Sequence, residues 1–292
     1  MVSRAGFAVM AAAGFAVTIW GATPAVTKLA VGAFDPLSVA LMRTVFAAPV
    51  ALTLILLYRV PPPATAKGRL LLVGSSFSGL VGFVLLFTIG MRHTTGNHGA
   101  LILAALPLFT GLVAALMEWR PLPLRWWLGS ALALAGEVWL VTRGGALEAG
   151  GVLGDVMILA SALFSSAGYV FAARLAQTGY GSRNVALWSI VIASLVLAPP
   201  LLLTADVSQL LAADPVVWGS IAYLALGSTL LAYASWIWAL GRGGIARVGL
   251  AQYLQPPIGV IAAAVILGET VTVSLVAAGV LIVAGVIVAT RR

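Results

Sequence analysis

Long apolar stretches alternate with short polar connections along the whole chain. Ten such stretches can be distinguished, and nearly all reach the length of about 20 residues that a helix needs to cross a bilayer core. No connection between them is long enough to form a soluble domain. The pattern therefore predicts an all-α polytopic membrane protein with ten transmembrane helices. The ten stretches cover residues 6–31, 36–58, 69–91, 96–117, 124–142, 153–175, 184–204, 215–240, 246–267 and 271–290.

The composition indicates the same class of protein. Of the 292 residues, 62% are hydrophobic and only 8% are charged, and the mean hydropathy is +1.11. Soluble domains contain about 25% charged residues, so a soluble fold of this size could not cover the apolar surface. The chain has no cysteine, which excludes disulfides and thiolate metal sites.

The charges in the connections predict the orientation in the membrane. With the N-terminus in the cytoplasm, twelve cationic residues fall in inside loops and three in outside loops. This positive-inside bias predicts an inner-membrane protein with both termini cytoplasmic, and it explains the net charge of +8 without a nucleic-acid partner. The inside residues are Arg4, Arg59, Lys67, Arg69, Arg120, Arg125, Arg174, Arg183, Arg242, Arg247, Arg291 and Arg292, and the outside residues are Lys28, Arg92 and Arg143.

Two similar segments indicate an internal repeat. Each carries a proline within an apolar stretch, and these prolines, Pro107 and Pro257, lie 150 positions apart, about half the chain. We therefore expect two five-helix halves, residues 1–145 and 146–292. Because five is an odd number of spans, the second half must enter the membrane from the opposite side. Inverted repeats of this kind are typical of transporters whose substrate site lies near the midplane between the halves.

The second proline-containing segment also carries polar side chains inside a span. Gln252, Tyr253 and Gln255 directly precede Pro256 and Pro257. Polar groups and free backbone carbonyls are costly in hydrocarbon, so they are expected where a helix faces protein or a water-filled cavity. We interpret Gln252 and Tyr253 as cavity-lining residues, with interhelical hydrogen bonding as the alternative.

Aromatic and small residues in other spans complete the predicted site. Aromatic rings suit a cavity that holds apolar side chains, although an interfacial aromatic belt or simple close packing would explain some of them equally well. The third span contributes the small, flexible run from Ser78 to Phe83. The predicted substrate-binding residues are Trp20, Ser78, Phe83, Tyr169, Tyr233, Trp236, Gln252 and Tyr253.

Two charged residues lie inside predicted spans, Arg43 in the second and Glu137 in the fifth. Ionisable groups at membrane depth are functional candidates by default. Their similar depths allow the two to pair with each other. The alternatives are an Arg43 that snorkels towards the membrane surface, a carboxylate-binding Arg43 and a proton-carrying Glu137.

Nothing in the sequence predicts catalysis. It contains no nucleophile–base–acid arrangement, no phosphate-binding loop and no metal-ligand spacing, and His93 and His98 have the character of loop residues. We expect no enzyme activity, no cofactor and no metal. The expected partners are a small-molecule substrate and membrane lipid, with a monomer sufficient for transport.

These features together resemble the drug/metabolite transporter superfamily, in particular its ten-helix EamA type. Two further runs, Ala232–Trp236 and Gln252–Pro256, are similar to the bacterial exporters of aromatic and other amino acids of the YddG type. One departure is Glu137, which stands where the family usually has an apolar residue. The matching positions are Trp20-Gly21, Lys28, Arg43, Pro107, Glu118, Gly154-Asp155, Pro257 and Gly268-Glu269.

The resemblance implies an inner-membrane exporter of amino acids or similar small metabolites that works by alternating access with broad specificity. A proton-coupled exporter of cationic drugs or other metabolites is the alternative, and it requires a titratable acid facing the cavity. A membrane enzyme, a scaffold or a channel is less well supported, because the sequence shows neither catalytic residues, nor a large partner-binding loop, nor a filter-like segment.

Overall fold

The computed structural model describes residues 4–31, 33–91, 93, 103, 105–143, 152–204, 206–268 and 273–290. Within these ranges the chain is helical apart from short turns and contains no strand. Seven of the described helices are long and apolar enough to cross a membrane, and Leu106–Glu118 and Val276–Thr290 are shorter apolar helices. The predicted all-α polytopic fold is confirmed. His98, Glu269 and the terminal arginines Arg291 and Arg292 lie outside the described residues.

The described residues of the first half form five helical segments, and each overlaps one predicted stretch. Two of them are irregular, because α2 breaks at Phe46 and Ala47 and α3 contains a π-helical turn. Their bounds are α1, Arg4–Ala30; α2, Pro36–Val45 and Ala48–Leu57; α3, Ala66–Ser75, π-helical Ser76–Gly82 and Phe83–Met91; α4, Leu106–Glu118; and α5, Leu124–Arg143.

In the described part of the second half there are five more segments and one short connecting helix, Val207–Ala212. Three of these segments are not purely α-helical: α6 and α8 contain π-helical turns, and α9 contains a 3₁₀ turn. The bounds are α6, Val152–Leu175 and Ala176–Tyr180; α7, Ser182–Thr204; α8, Pro215–Ala222, π-helical Tyr223–Ala232 and Tyr233–Gly243; α9, Ile245–Gly249, 3₁₀ Leu250–Leu254 and Gln255–Leu267; and α10, Val273–Thr290.

Local sequence signals start two of these helices. The Asp35 carboxylate accepts hydrogen bonds from the backbone amides of Leu37 (2.9 Å) and Ser38 (3.3 Å) at the beginning of α2. At α8, Asp214 accepts from the amide of Val217 at 2.9 Å. In both helices a proline follows the capping aspartate, at the first position, where its missing N–H costs nothing.

Equivalent helices of the two halves run antiparallel. At one end of the α2–α7 pair, the Arg183 guanidinium lies 4.8 Å from the centre of the Tyr58 ring. Further along, the Ser194 hydroxyl donates to the Thr44 carbonyl at 3.0 Å. The start of α7 thus lies beside the end of α2, and later residues of α7 lie beside earlier residues of α2. The two halves therefore cross the membrane in opposite directions.

The α5–α10 pair has the same antiparallel arrangement. A Cβ on Gly129 would contact Ala289, whereas a Cβ on Gly136 would contact Ile282. The small residues let the two backbones approach closely, as is usual in membrane helix pairs.

The helices α1 and α6 occupy equivalent central places. α1 packs against α8 and α9, and α6 packs against α3 and α4, their counterparts in the first half. Backbone meets backbone at Gly79 of α3 and Gly168 of α6, where a Cβ on Gly79 would lie 3.3 Å from the Cα of Gly168. This arrangement brings the middles of α1, α3, α6 and α8 together.

The outer surface is apolar to a degree that fits lipid and not water. Leu56, Leu202 and Val265 are large apolar side chains that point outward, with Leu202 and Val265 each 80% exposed. Soluble monomers rarely expose continuous apolar surface of this kind. The chain is therefore a multi-pass membrane protein.

Candidate functional site

A small pocket lies where α1, α2, α3, α6 and α8 meet. Its volume is about 50 Å³, which is well below the roughly 300–1,000 Å³ of typical small-molecule sites. The conformation described here is therefore closed around its centre. The lining residues are Trp20, Arg43, Thr44, Gly79, Leu80, Phe83, Val84, Tyr169, Ser228, Thr229 and Tyr233.

Three aromatic rings, Trp20, Tyr169 and Tyr233, form one wall of this pocket, and Trp236 packs behind them. Trp20 stacks on Tyr169 with ring centres 5.8 Å apart and planes 22° apart. Trp236 meets both rings edge-on, at 5.6 Å and 6.1 Å, and Tyr169 lies 6.3 Å from Tyr233. Such stacked and edge-on pairs hold one another in place, so the wall is ordered before any ligand arrives.

Both halves place a π-helical turn at the pocket. Ser76–Gly82 of α3 contributes Gly79 and Leu80, and Tyr223–Ala232 of α8 contributes Ser228 and Thr229. Within the second of these turns, the Ser228 carbonyl accepts a hydrogen bond from the Trp20 indole at 2.9 Å. π-helical turns inside helices are frequent at functional sites.

Arg43 brings a positive charge to the pocket. Its Nη2 donates to the Ser228 hydroxyl at 2.8 Å, and its Nε approaches the Thr229 hydroxyl at 3.5 Å. The Thr23 hydroxyl also donates to the Ser228 hydroxyl, at 3.2 Å. Among the described lining residues there is no aspartate or glutamate, so the charge is held only by neutral groups.

At the edge of the pocket, buried hydroxyl groups hold the Tyr233 side chain in place. Its phenolic oxygen lies 3.0 Å from the Ser75 hydroxyl, which lies 3.4 Å from the hydroxyl of Ser189. All three side chains are buried. The ring therefore presents a fixed face to the pocket.

The predicted site residues fall into three places. Trp20, Phe83, Tyr169 and Tyr233 line the pocket. Trp236 is fully buried directly behind it, against Trp20 and Tyr169. Ser78, Gln252 and Tyr253 do not belong to the lining. Their predicted contact with substrate stays a prediction, because this closed conformation does not bring them into the pocket.

Gln252 belongs to a second buried polar group, between α4, α6 and α9. The Thr110 hydroxyl donates to the Ser166 hydroxyl at 3.1 Å and also lies 3.4 Å from the Gln252 side-chain carbonyl. Ser166 donates to the Leu106 carbonyl at 3.1 Å, which Pro107 follows in the chain. No residue in the described ranges accepts a hydrogen bond from the Gln252 amide nitrogen. This is the interhelical bonding that was the alternative interpretation of Gln252.

Tyr253 lies in an apolar cluster of α5, α9 and α10, between Trp126 and Ile282. Ser130 and Glu137 are its polar neighbours there. The Ser130 hydroxyl lies close to the Tyr253 hydroxyl, and no described residue forms a hydrogen bond with the buried Oε2 of Glu137. Tyr253 is completely buried, so it does not face lipid.

The predicted pairing of Arg43 with Glu137 is wrong. Arg43 lies in the pocket and bonds to Ser228, whereas Glu137 lies near Tyr253 in the α5–α9–α10 cluster. Depth along the membrane normal was similar for both, but depth says nothing about which side of the bundle a residue faces.

Ser228 and Thr229 were not among the predicted residues, although the sequence contains a signal for them. Ser228 lies 150 positions after Ser78 and Tyr233 lies 150 after Phe83, the same spacing that relates Pro107 to Pro257. Adding 150 to the positions of the candidate residues in the third span would have identified residues of the eighth span as candidates too. The pocket uses the serine of the second repeat instead of the one predicted.

A larger crevice, of about 330 Å³, opens at one end of the molecule between α4 and α6. It is lined by Met117, Glu118, Arg120, Arg174 and Gln177, and Arg174 donates to the Met117 carbonyl. Because it lies at the basic loops and is open to the outside, it is not the central site between the halves.

Oppositely threaded halves around a central pocket define a polytopic transporter of the inverted-repeat type. The chain belongs to the EamA-like transporter family, whose model matches residues 7–142 and 152–291. The resemblance to the drug/metabolite transporter superfamily is thereby confirmed.

Relatives that resemble the chain over most of its length are described as transporters or exporters. The chain is 34% identical over 278 residues to the uncharacterized transporter YdeK of Bacillus subtilis, covering 93% of this chain and 92% of the relative. It is 29% identical to a probable amino-acid metabolite efflux pump of Salmonella typhimurium, covering 92% and 90%. It is 28% identical to a probable terminal-alkyne amino-acid exporter of Streptantibioticus cattleyicolor, covering 74% and 71%.

A protein of known crystal structure has the same fold. The two chains superpose with a TM-score of 0.79 at 20% sequence identity, and the match covers 95% of each. At this identity the similarity concerns the fold alone.

Proposed function

We propose that this protein exports amino acids or similar small metabolites across the bacterial inner membrane, with both termini in the cytoplasm. Transport is by alternating access, in which the two halves rock about the central pocket. Monomers carry out transport, and the molecule needs only its substrate and the surrounding lipid. The observation that carries the proposal is the pocket between the halves, in which an arginine lies among ordered aromatic rings.

The chemistry of the pocket suits an amino acid. Trp20, Phe83 and Tyr169 offer apolar faces to a side chain, and the pocket hydroxyls offer hydrogen bonds to polar groups. Two relatives carry names that refer to amino-acid export, which supports this substrate class. A mixed aromatic and hydroxyl lining fits many side chains, so specificity is broad.

Substrate entry requires the pocket to enlarge from its closed volume of about 50 Å³. The π-helical turns of α3 and α8 are natural bending points, because they lie at the pocket and already depart from regular winding. Rocking of one half against the other would open the space between them first on one side and then on the other.

Flux through proteoliposomes tests the proposal. Purified protein is reconstituted with radiolabelled leucine, methionine or phenylalanine, and efflux is compared with protein-free vesicles. We expect protein-dependent flux of at least one amino acid, reduced about tenfold by Trp20→Ala because the variant removes the stacked wall. Trp218→Ala is the matched control, because Trp218 packs on Phe34 and Phe46 outside the pocket. Absence of flux for every amino acid would remove the proposal.

The alternative function, proton-coupled export of cationic drugs, requires an acid facing the substrate. The described lining has none, and Glu137 lies in the α5–α9–α10 cluster. A cation in this pocket would also face Arg43. Full transport with unchanged pH dependence in Glu137→Gln would exclude coupling through this residue.

A further inference from the structure

Within the described part of the chain, Arg43 has no negatively charged partner. Its side chain bonds to the hydroxyls of Ser228 and Thr229, and the described lining of the pocket contains no acidic side chain. A cation removed from bulk water is costly unless it is paired, and neutral hydroxyls compensate only part of that cost. The pocket therefore has a place for an anion.

The guanidinium has donors left for that anion. It carries five N–H groups in a planar fork, and the described residues accept only from Nε and Nη2. No described residue accepts from Nη1. Arginine is suited to bind a carboxylate through two parallel hydrogen bonds, which adds directional selectivity to the charge.

The remaining surface of the pocket matches the other end of such a molecule. Phe83, Leu80 and Val84 are apolar, and the Trp20–Tyr169 stack presents aromatic faces. No acidic group is available in the described lining to pair with an ammonium. The site can therefore pair with the carboxylate of an amino acid, but it offers no described acidic group to pair with the ammonium.

We propose that Arg43 binds the carboxylate of the transported molecule, and that the site selects apolar monocarboxylates whether or not they carry an amino group. The inference rests on the proposed transport function, since it assigns the charge that a substrate must have. It extends the substrate class from amino acids to organic acids with an apolar or aromatic side chain.

Three ligands of the same shape separate the two charges. Phenylalanine has both the carboxylate and the ammonium, 3-phenylpropionate has only the carboxylate, and phenylethylamine has only the ammonium. Binding is measured by isothermal titration to purified protein in nanodiscs, because protonated acids and free amines cross bilayers unaided and would obscure a flux assay. We expect the two carboxylates to bind and phenylethylamine to bind at least tenfold more weakly.

Two substitutions test the role of Arg43. Arg43→Gln keeps hydrogen-bonding capacity but removes the charge, and we expect it to weaken binding of both carboxylates about tenfold or more. Arg43→Lys should recover part of the lost affinity, because lysine restores the positive charge but lacks the planar guanidinium that can donate two parallel hydrogen bonds. Arg183→Gln is the matched control, since Arg183 lies over the Tyr58 ring outside the pocket, and it should bind as the unaltered protein does.

The outcomes separate this inference from the proposed function. Equal binding of phenylethylamine, failure of both carboxylates to bind, or unchanged affinities in Arg43→Gln would overturn the inference, and amino-acid flux in proteoliposomes would still support export. Carboxylate binding that depends on Arg43, combined with no flux of any amino acid or organic acid, would support the inference and contradict the exporter. Circular dichroism of each variant verifies that it is folded.

Discussion

Tyr233 joins the pocket to a chain of buried hydroxyl groups. Its phenolic oxygen bonds with Ser75, and the side chain is only 2% exposed. We expect Tyr233→Phe to lower the free energy of unfolding by about 1 kcal/mol, because it leaves a buried serine with one partner fewer. Tyr58→Phe is the control at an exposed position. Thermal unfolding in detergent measures both, and equal midpoints for the two variants would contradict the structural role of the Tyr233 hydroxyl.

Glu137 is a buried carboxyl group without a complementary charge. No described residue forms a hydrogen bond with its Oε2, and Tyr253 is a polar neighbour. Because no cation in the described chain bonds to it, we expect the neutral Glu137→Gln to keep or raise the unfolding midpoint. A drop of several degrees, with no drop in Glu118→Gln at the end crevice, would show that the carboxylate itself stabilises the fold.

For individual residues, the sequence indicated which residue types line the pocket, but it did not always indicate which helices a given side chain faces. Trp20, Tyr169 and Tyr233 were identified because aromatic rings inside spans are few and suit a cavity. Tyr253 was assigned to the same cavity, yet it faces α5 and α10 in this conformation. One reason is the 3₁₀ turn of Leu250–Leu254, where each residue advances about 120° instead of 100°, which shifts the face by roughly 100° over five residues.

At the contact between α3 and α6, the helix backbones lie so close together that there is no room for a larger side chain. A Cβ on Gly168 would overlap the backbone of Gly79, which cannot move away as a flexible side chain could. We expect Gly168→Ala to cost about 1–3 kcal/mol of stability and to perturb the pocket next to it. Gly219→Ala in α8 is the matched control, because nothing lies within 4 Å of its added Cβ, and it should be neutral or stabilising by about 0.4–1 kcal/mol. Unfolding midpoints of the two variants check this, and equal midpoints would contradict the close contact.

The helices themselves were predictable, because an apolar run of sufficient length has few other ways to satisfy its backbone in lipid. The irregular turns within them were not. The π-helical turns in α3 and α8 carry no proline, and their sequences read as ordinary apolar helix. Their origin is tertiary: both lie where small residues let α3 and α8 press against the central helices α6 and α1.

For the molecule as a whole, the charge pattern predicts an orientation that can be measured. Natural cysteine is absent, so single cysteines serve as unambiguous reporters. Lys67→Cys and Gln209→Cys lie at exposed positions of opposite ends. With a cytoplasmic N-terminus, a membrane-impermeant maleimide should label Gln209→Cys in intact cells and Lys67→Cys only after permeabilisation. The reverse result would invert the proposed orientation while leaving the fold unchanged.

The antiparallel pairing of α2 with α7 and of α5 with α10 has a consequence for biosynthesis. Two units with nearly the same apolar profile have to be inserted facing opposite ways during one round of translation. Apolarity cannot tell them apart, so the distribution of arginine and lysine has to do so, as at Arg4 at the start of the first helix and Arg174 at the end of the sixth, both on the predicted inside. Moving a few basic residues across the spans of one unit would therefore leave each helix intact but place both units the same way up, and no closed pocket could then form between them.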